Sequence, residues 1–93
     1  MNHNTYFDDH VQSLGFEDAL GKASVGVMAP GRYDFGTSTA EGMTVITGTL
    51  FITLPGTEEE KAFTPGESFQ VESGATFGVR IEEPSSYLCR YGS

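Results

Sequence analysis

Short apolar runs alternate with polar residues at period two, and glycine or proline cuts each run off after a few positions. Val25, Val27 and Ala29 alternate with Ser24, Gly26 and Met28 before the turn Ala29–Pro30–Gly31–Arg32. Tyr33 and Phe35 resume the pattern, and Met43, Val45 and Thr47 lead into Gly48–Thr49. Leu50, Ile52 and Leu54 then alternate with Thr49, Phe51 and Thr53. Beyond Pro55–Gly56, the run Glu58–Glu59–Glu60 reads as a solvated loop. Phe69 and Val71, then Phe77, Val79 and Ile81, hold alternate positions on either side of Ser73–Gly74, and Ser86–Tyr91 is the last run. Period two turns one face of each strand inward. Short strands separated by regular turn signals define an all-β sandwich or barrel. About eight short antiparallel strands suit a jelly roll, which curls two sheets around one interior.

The 93 residues make one small domain, 1–93, with residues 1–10 expected to form a mobile or edge-pairing arm. A core this size is thin, and a homodimer is a natural remedy because the shared interface adds buried area. No apolar run reaches the roughly 18–20 residues that cross a membrane, and the polar, acidic start lacks the apolar centre of a signal peptide. Cys89 is the only cysteine, so no internal disulfide forms, as suits a reducing cytoplasm. Thirteen acids against five bases give a net charge of −8. The bases Lys22, Arg32, Lys61, Arg80 and Arg90 make no local run, which argues against a nucleic-acid partner. A small anion stays open, because one cation and a few backbone N–H groups hold phosphate locally.

Two spacings narrow the fold. They are Glu41-x6-Gly48 and Gly66-x5-Glu72-x-Gly74-x2-Phe77. Both resemble the cupin pattern, whose second motif ends on a ligand histidine where this chain has Phe77. The paired histidines that the resemblance places just before Glu41 are also missing, since the chain there reads Tyr33–Asp34–Phe35–Gly36–Thr37. Zinc or iron needs several converging nitrogen or carboxylate ligands. His3 and His10 are the only histidines, lie in the arm, and read as exposed. No metal is expected. Burying the Phe77 ring contributes about 2 kcal/mol and makes the cavity floor apolar.

Other groups bear on chemistry. Cys89 alternates with Tyr87 and Tyr91 and reads as a small core filler. Glu41 holds the carboxylate position of the first motif; without a metal it accepts hydrogen bonds from sugar hydroxyls or shifts its pKa. Arg90, between Leu88-Cys89 and Tyr91, needs an anion or a carboxylate; a bridge to Glu83 or another acid and a bound ligand are both open. Tyr33, Tyr87 and Tyr91 offer flat faces and hydroxyls, for packing or for a planar ring. Phe51, opposite Leu50 and Ile52, is a candidate subunit contact.

The chain also resembles the pyrimidine/purine nucleoside phosphorylase family, which has a cupin-like fold. The resemblance rests on Ala23–Ser24–Val25–Gly26–Val27–Met28, Gly31–Arg32–Tyr33–Asp34–Phe35 and Met43–Thr44–Val45–Ile46–Thr47–Gly48. It continues through Leu54–Pro55 and Gly66–Glu67–Ser68–Phe69 to Glu83–Pro84–Ser85–Ser86–Tyr87–Leu88–Cys89–Arg90–Tyr91. It implies phosphorolysis of a broad range of nucleosides to free base and pentose 1-phosphate by a homodimer. Phosphate is then the co-substrate, with no organic cofactor or metal. Motif position gives the expected roles: Arg90 for phosphate, Glu41 for ribose hydroxyls and the developing cation, and Tyr33, Phe77, Tyr87 and Tyr91 for substrate binding. The alternative is a non-catalytic degenerate cupin that binds a sugar, nucleoside or other small metabolite.

Overall fold

The computed structural model describes residues 1–92. Ten strands follow one another: β1 (Asn2–Tyr6), β2 (Val11–Asp18), β3 (Gly21–Met28), β4 (Gly31–Gly36), β5 (Glu41–Thr47), β6 (Leu50–Thr53), β7 (Glu60–Phe63), β8 (Ser68–Val71), β9 (Thr76–Ile81) and β10 (Ser85–Tyr91). They form a six-stranded sheet, β1-β2-β3-β10-β5-β8, and a four-stranded sheet, β4-β9-β6-β7. Every pairing is antiparallel. Among the described residues, no helix is long and apolar enough to cross a membrane.

The all-β jelly roll is the architecture the alternation predicts. Its strand count is higher than the expected eight, because residues 2–18 form a hairpin. All five residues of β1 are exposed, so no apolar alternation marks that strand. β1 pairs along the edge of the larger sheet, from Asn2↔Gly15 to Tyr6↔Val11. Glu60, read as loop, instead starts β7 and lies opposite Thr53.

The core lies between the sheets. Leu50, Ile52, Phe77, Val79 and Ile81 from the smaller sheet meet Met28, Met43, Val45, Phe69, Val71 and Tyr87 from the larger. Turn glycines set the strand ends where φ must be positive. Gly48 has φ 76°, and a side chain there would collide with Ser85, whose hydroxyl accepts from the Thr49 N–H at 3.2 Å.

The parity of β3 positions the site. Ser24, Gly26 and Met28 face inward, while Val25 and Val27 face solvent at 39% and 52% exposure. The small residues win the inner positions through volume. Gly26 lies opposite Tyr87 on β10, and a methyl group on Gly26 would overlap the Tyr87 ring. The phenol fills the space that glycine leaves.

Candidate active site

A partly open cavity of about 170 Å3 lies between the sheets, with Tyr6 of β1, Ser13 of β2 and Met28 of β3 along one part of its lining. β10 supplies Tyr87, Cys89 and Tyr91 from alternate positions, and β5 supplies Glu41 and Met43. β9 adds Phe77, and β4 adds Phe35. Phe77 stacks on Phe35 with centroids 5.7 Å apart and meets Phe69 edge-on at 6.0 Å. The position that holds a ligand histidine in the cupin pattern thus carries one member of an aromatic wall. Among the described residues, no three His, Cys, Asp or Glu side chains converge.

Glu41 is the polar centre of this cavity. It is half-buried, and burial raises its carboxyl above the usual glutamate range. The Cys89 thiol donates to Glu41 Oε1 at 3.5 Å, which partly opposes that rise. Burial and the neighbouring Glu41 push the thiol up to about 12, so it stays protonated and able to donate. Burial also pushes Tyr91 up to about 12. Its hydroxyl is 2.7 Å from Ser24 Oγ, which is buried on the inner side of β3. Tyr87 is raised by burial as well. The cavity therefore combines one perturbed carboxyl with neutral donors and ring faces, a combination typical of ligand sites.

The structure brings Glu41, Phe77, Tyr87 and Tyr91 to one cavity and leaves two expected residues outside it. Tyr33 is buried behind the wall. Its hydroxyl donates to the Ala29 carbonyl at 2.6 Å, and its ring packs on Phe7 with centroids 5.0 Å apart. Arg90 is set apart by parity: Cys89 and Tyr91 face inward, so Arg90 faces outward. There it holds Asp18 bidentately, with both N–O distances 2.9 Å. The carboxylate partner is thus Asp18, not Glu83, and phosphate placement at this cavity does not follow from Arg90.

Sequence reasoning missed Tyr6, Ser13, Met28, Phe35, Met43 and Cys89 as lining groups. Tyr6 is the lone aromatic of a polar strand, and that was its only signal. It is followed by Phe7, Asp8 and Asp9, all with φ between 53° and 67°. This left-handed turn delivers Phe7 to Tyr33 and to Phe35, at 5.0 and 5.4 Å.

A wider groove of about 470 Å3 crosses the outer face of the four-stranded sheet. Two of its four charged residues, Arg80 and Glu60, pair with each other, while Arg32 and Asp34 make no ion pair among the described residues. Arg80 binds Glu60 and Glu82, each at 2.8 Å, and lies 4.1 Å over the Phe51 ring. Phe51, the expected subunit contact, is therefore covered by a guanidinium. The inner cavity is the better candidate, since its carboxyl, Glu41, is half-buried among the rings of Phe35, Phe77, Tyr87 and Tyr91.

Fold and cavity together define a small cupin-like jelly roll whose pocket is built of aromatic side chains and one acid. The family model described as pyrimidine/purine nucleoside phosphorylase matches residues 1–91, and the chain belongs to that family. A protein of that name from Pectobacterium atrosepticum is 52% identical over 92 residues, covering 98% of each chain. The crystal structure of a protein of unknown function from Vibrio parahaemolyticus is 41% identical, with TM-score 0.91 over 95% of this chain and 94% of that one. The EutQ protein of Clostridium difficile shares the fold at TM-score 0.72 and 17% identity, over 88% of this chain and 68% of that one.

Proposed function

We propose that this chain catalyses phosphorolysis of purine and pyrimidine nucleosides, giving free base and pentose 1-phosphate. The observation that carries the reading is Glu41 in a cavity walled by Phe35, Phe77 and Tyr87, in a chain of this family. The ring faces stack a base without reading many of its edges, which suits a broad substrate range. The C1′–N bond breaks through a sugar with oxocarbenium character, as in glycoside cleavage. A phosphate oxygen forms the new C1′–O bond, and the departing base takes up the proton that phosphate gives up. Glu41 faces the ribose hydroxyls and the developing positive charge. Their attraction grows toward the transition state where water is scarce. Phosphate is a competent nucleophile, so alignment supplies much of the rate, worth roughly 7–11 kcal/mol. The scheme calls for no metal and no organic cofactor.

The working unit of this reading is a homodimer joined through the outer face of the six-stranded sheet. Leu14, Val25 and Val27 lie exposed there as an apolar patch. A second copy covers it and enlarges a thin core. The free, buried Cys89 fits a reducing cytoplasm.

The test is incubation of the pure protein with inosine or uridine, with and without phosphate, followed by chromatography of the free base. Phosphate-dependent release together with pentose 1-phosphate is the expected result. Binding without release favours the non-catalytic module, and release without phosphate marks a hydrolase.

A further inference from the structure

The proposed reaction brings a dianion to the ribose, yet among the described residues no lysine, arginine or histidine lines the cavity that holds Glu41. A second groove, of about 370 Å3, shares one lining residue with that cavity, Tyr91. Among the described residues, Lys22 is the one cationic side chain that lines it.

Strand parity explains the arrangement. Lys22 is two residues before Ser24 on β3 and shares its inner face. Tyr91 lies opposite Glu41 in the β10–β5 ladder. On the other side of β10 the last pair is Arg90↔Ala23, so the next rung sets Tyr91 beside Lys22. Glu41, Tyr91 and Lys22 thus occupy one row across β5, β10 and β3. Adjacent strands are about 4.8 Å apart, which separates the Glu41 and Lys22 backbones by about 10 Å. A lysine side chain spans much of that distance. Asn2 and Asn4 of β1 line the same groove and add amide donors.

The geometry points to Lys22, with Ser24, Tyr91, Asn2 and Asn4, as the subsite that receives the phosphate co-substrate, next to a ribose held at Glu41. The assignment rests on the phosphorolysis reading. Among the described residues Lys22 makes no ion pair, unlike Arg80 and Arg90, which are engaged by carboxylates. Glu17 is its cross-strand neighbour in β2 and the one acid lining the groove. It lies on the far side of Lys22 from Tyr91, so it leaves the approach from the cavity to an incoming anion. A compact ammonium suits phosphate, which it meets as a point charge. Ser24 and Tyr91 are already linked at 2.7 Å, so their hydroxyls are held in place before phosphate arrives.

The experiment is initial-rate kinetics of uridine or inosine phosphorolysis against phosphate concentration, for the natural chain, Lys22→Ala, Lys22→Arg and the control Lys61→Ala. Lys22 is exposed, so its replacement leaves the core untouched. Lys22→Ala is expected to raise the KM for phosphate about tenfold or more. The KM for nucleoside is expected to change little, Lys22→Arg to recover most of the loss, and Lys61→Ala to behave as the natural chain. An unchanged phosphate KM in Lys22→Ala, with the natural chain active, overturns the subsite and leaves phosphorolysis standing. Equal rises in both KM values also overturn it, because that marks general damage. A natural chain that releases no base with phosphate defeats the phosphorolysis reading, and the subsite assignment with it.

Discussion

The Cys89 thiol donates to Glu41 Oε1 from 3.5 Å inside the cavity. Among the described residues no ion pair holds that carboxyl, so its environment is set by burial more than by pairing. Glu41→Gln keeps the size and removes the charge. We expect kcat/KM for phosphorolysis to fall about 10²–10³-fold, the loss usual for one electrostatic stabiliser, with the fold intact by circular dichroism.

The same burial has a pH signature. The folded Glu41 binds its proton more tightly than the unfolded chain, whose glutamate keeps its ordinary value of 4.5. Glu41 therefore destabilises the fold progressively as pH climbs from 4.5 through its raised folded value. Urea midpoints compared between the natural chain and Glu41→Gln should coincide below 4.5 and diverge above it, with the variant more stable. A variant less stable at neutral pH contradicts this account.

Arg90 and Asp18 face solvent on the far side of β10 from the cavity. Arg90→Ala and Asp18→Ala should therefore behave alike, each with a small, salt-sensitive stability loss. The KM for phosphate should stay within about twofold of the natural value in both. A large rise in Arg90→Ala alone returns the phosphate role to Arg90.

Gly26→Ala adds one methyl group against the Tyr87 ring. Overpacking of this kind costs about 1–3 kcal/mol. Relief requires Tyr87 to shift, so the KM for nucleoside should rise along with the fall in thermal midpoint. A midpoint change with unaltered KM removes Tyr87 from the base wall.

Val25 and Val27 are the exposed members of β3. Val25→Asp places a charge in the patch assigned to the second copy, and sedimentation should show a shift from dimer to monomer. Persistence of the dimer places the interface elsewhere.

The strands from β4 onward, β7 excepted, were legible in the chain because turn glycines and alternating apolar residues coincide there, whereas Glu60–Phe63 is nearly all exposed. β1 was not, since its residues are all exposed, and it is held by backbone pairing with β2 and a 3.0 Å hydrogen bond between the His3 and Gln12 side chains. The parity of β3 was hidden for a different reason. Alternation alone makes Val25 and Val27 as eligible for the interior as Ser24 and Gly26, and the choice is made by the bulk of Tyr87 on a strand 61 residues later. Glu41, Phe77, Tyr87 and Tyr91 could be found from motif position because their offsets fix their faces. Arg90 could not be placed, because Asp18, its partner, is 72 residues away in sequence.

The ladder between β10 and β5 slips once, between Ser86 and Tyr87. The extra residue is Ile46 of β5, skipped between Ser86↔Thr47 and Tyr87↔Val45, while β10 keeps an unbroken alternation against β3 from Ser85 to Arg90. Deleting or inserting a single residue in β10 just before Tyr87 would send Leu88 and Arg90 into the pocket and turn Tyr87, Cys89 and Tyr91 outward. The last strand is thus a two-sided key cut from one string of residues: its teeth for substrate and its teeth for the outer surface cannot change independently, and length variation there should be far less tolerated than substitution.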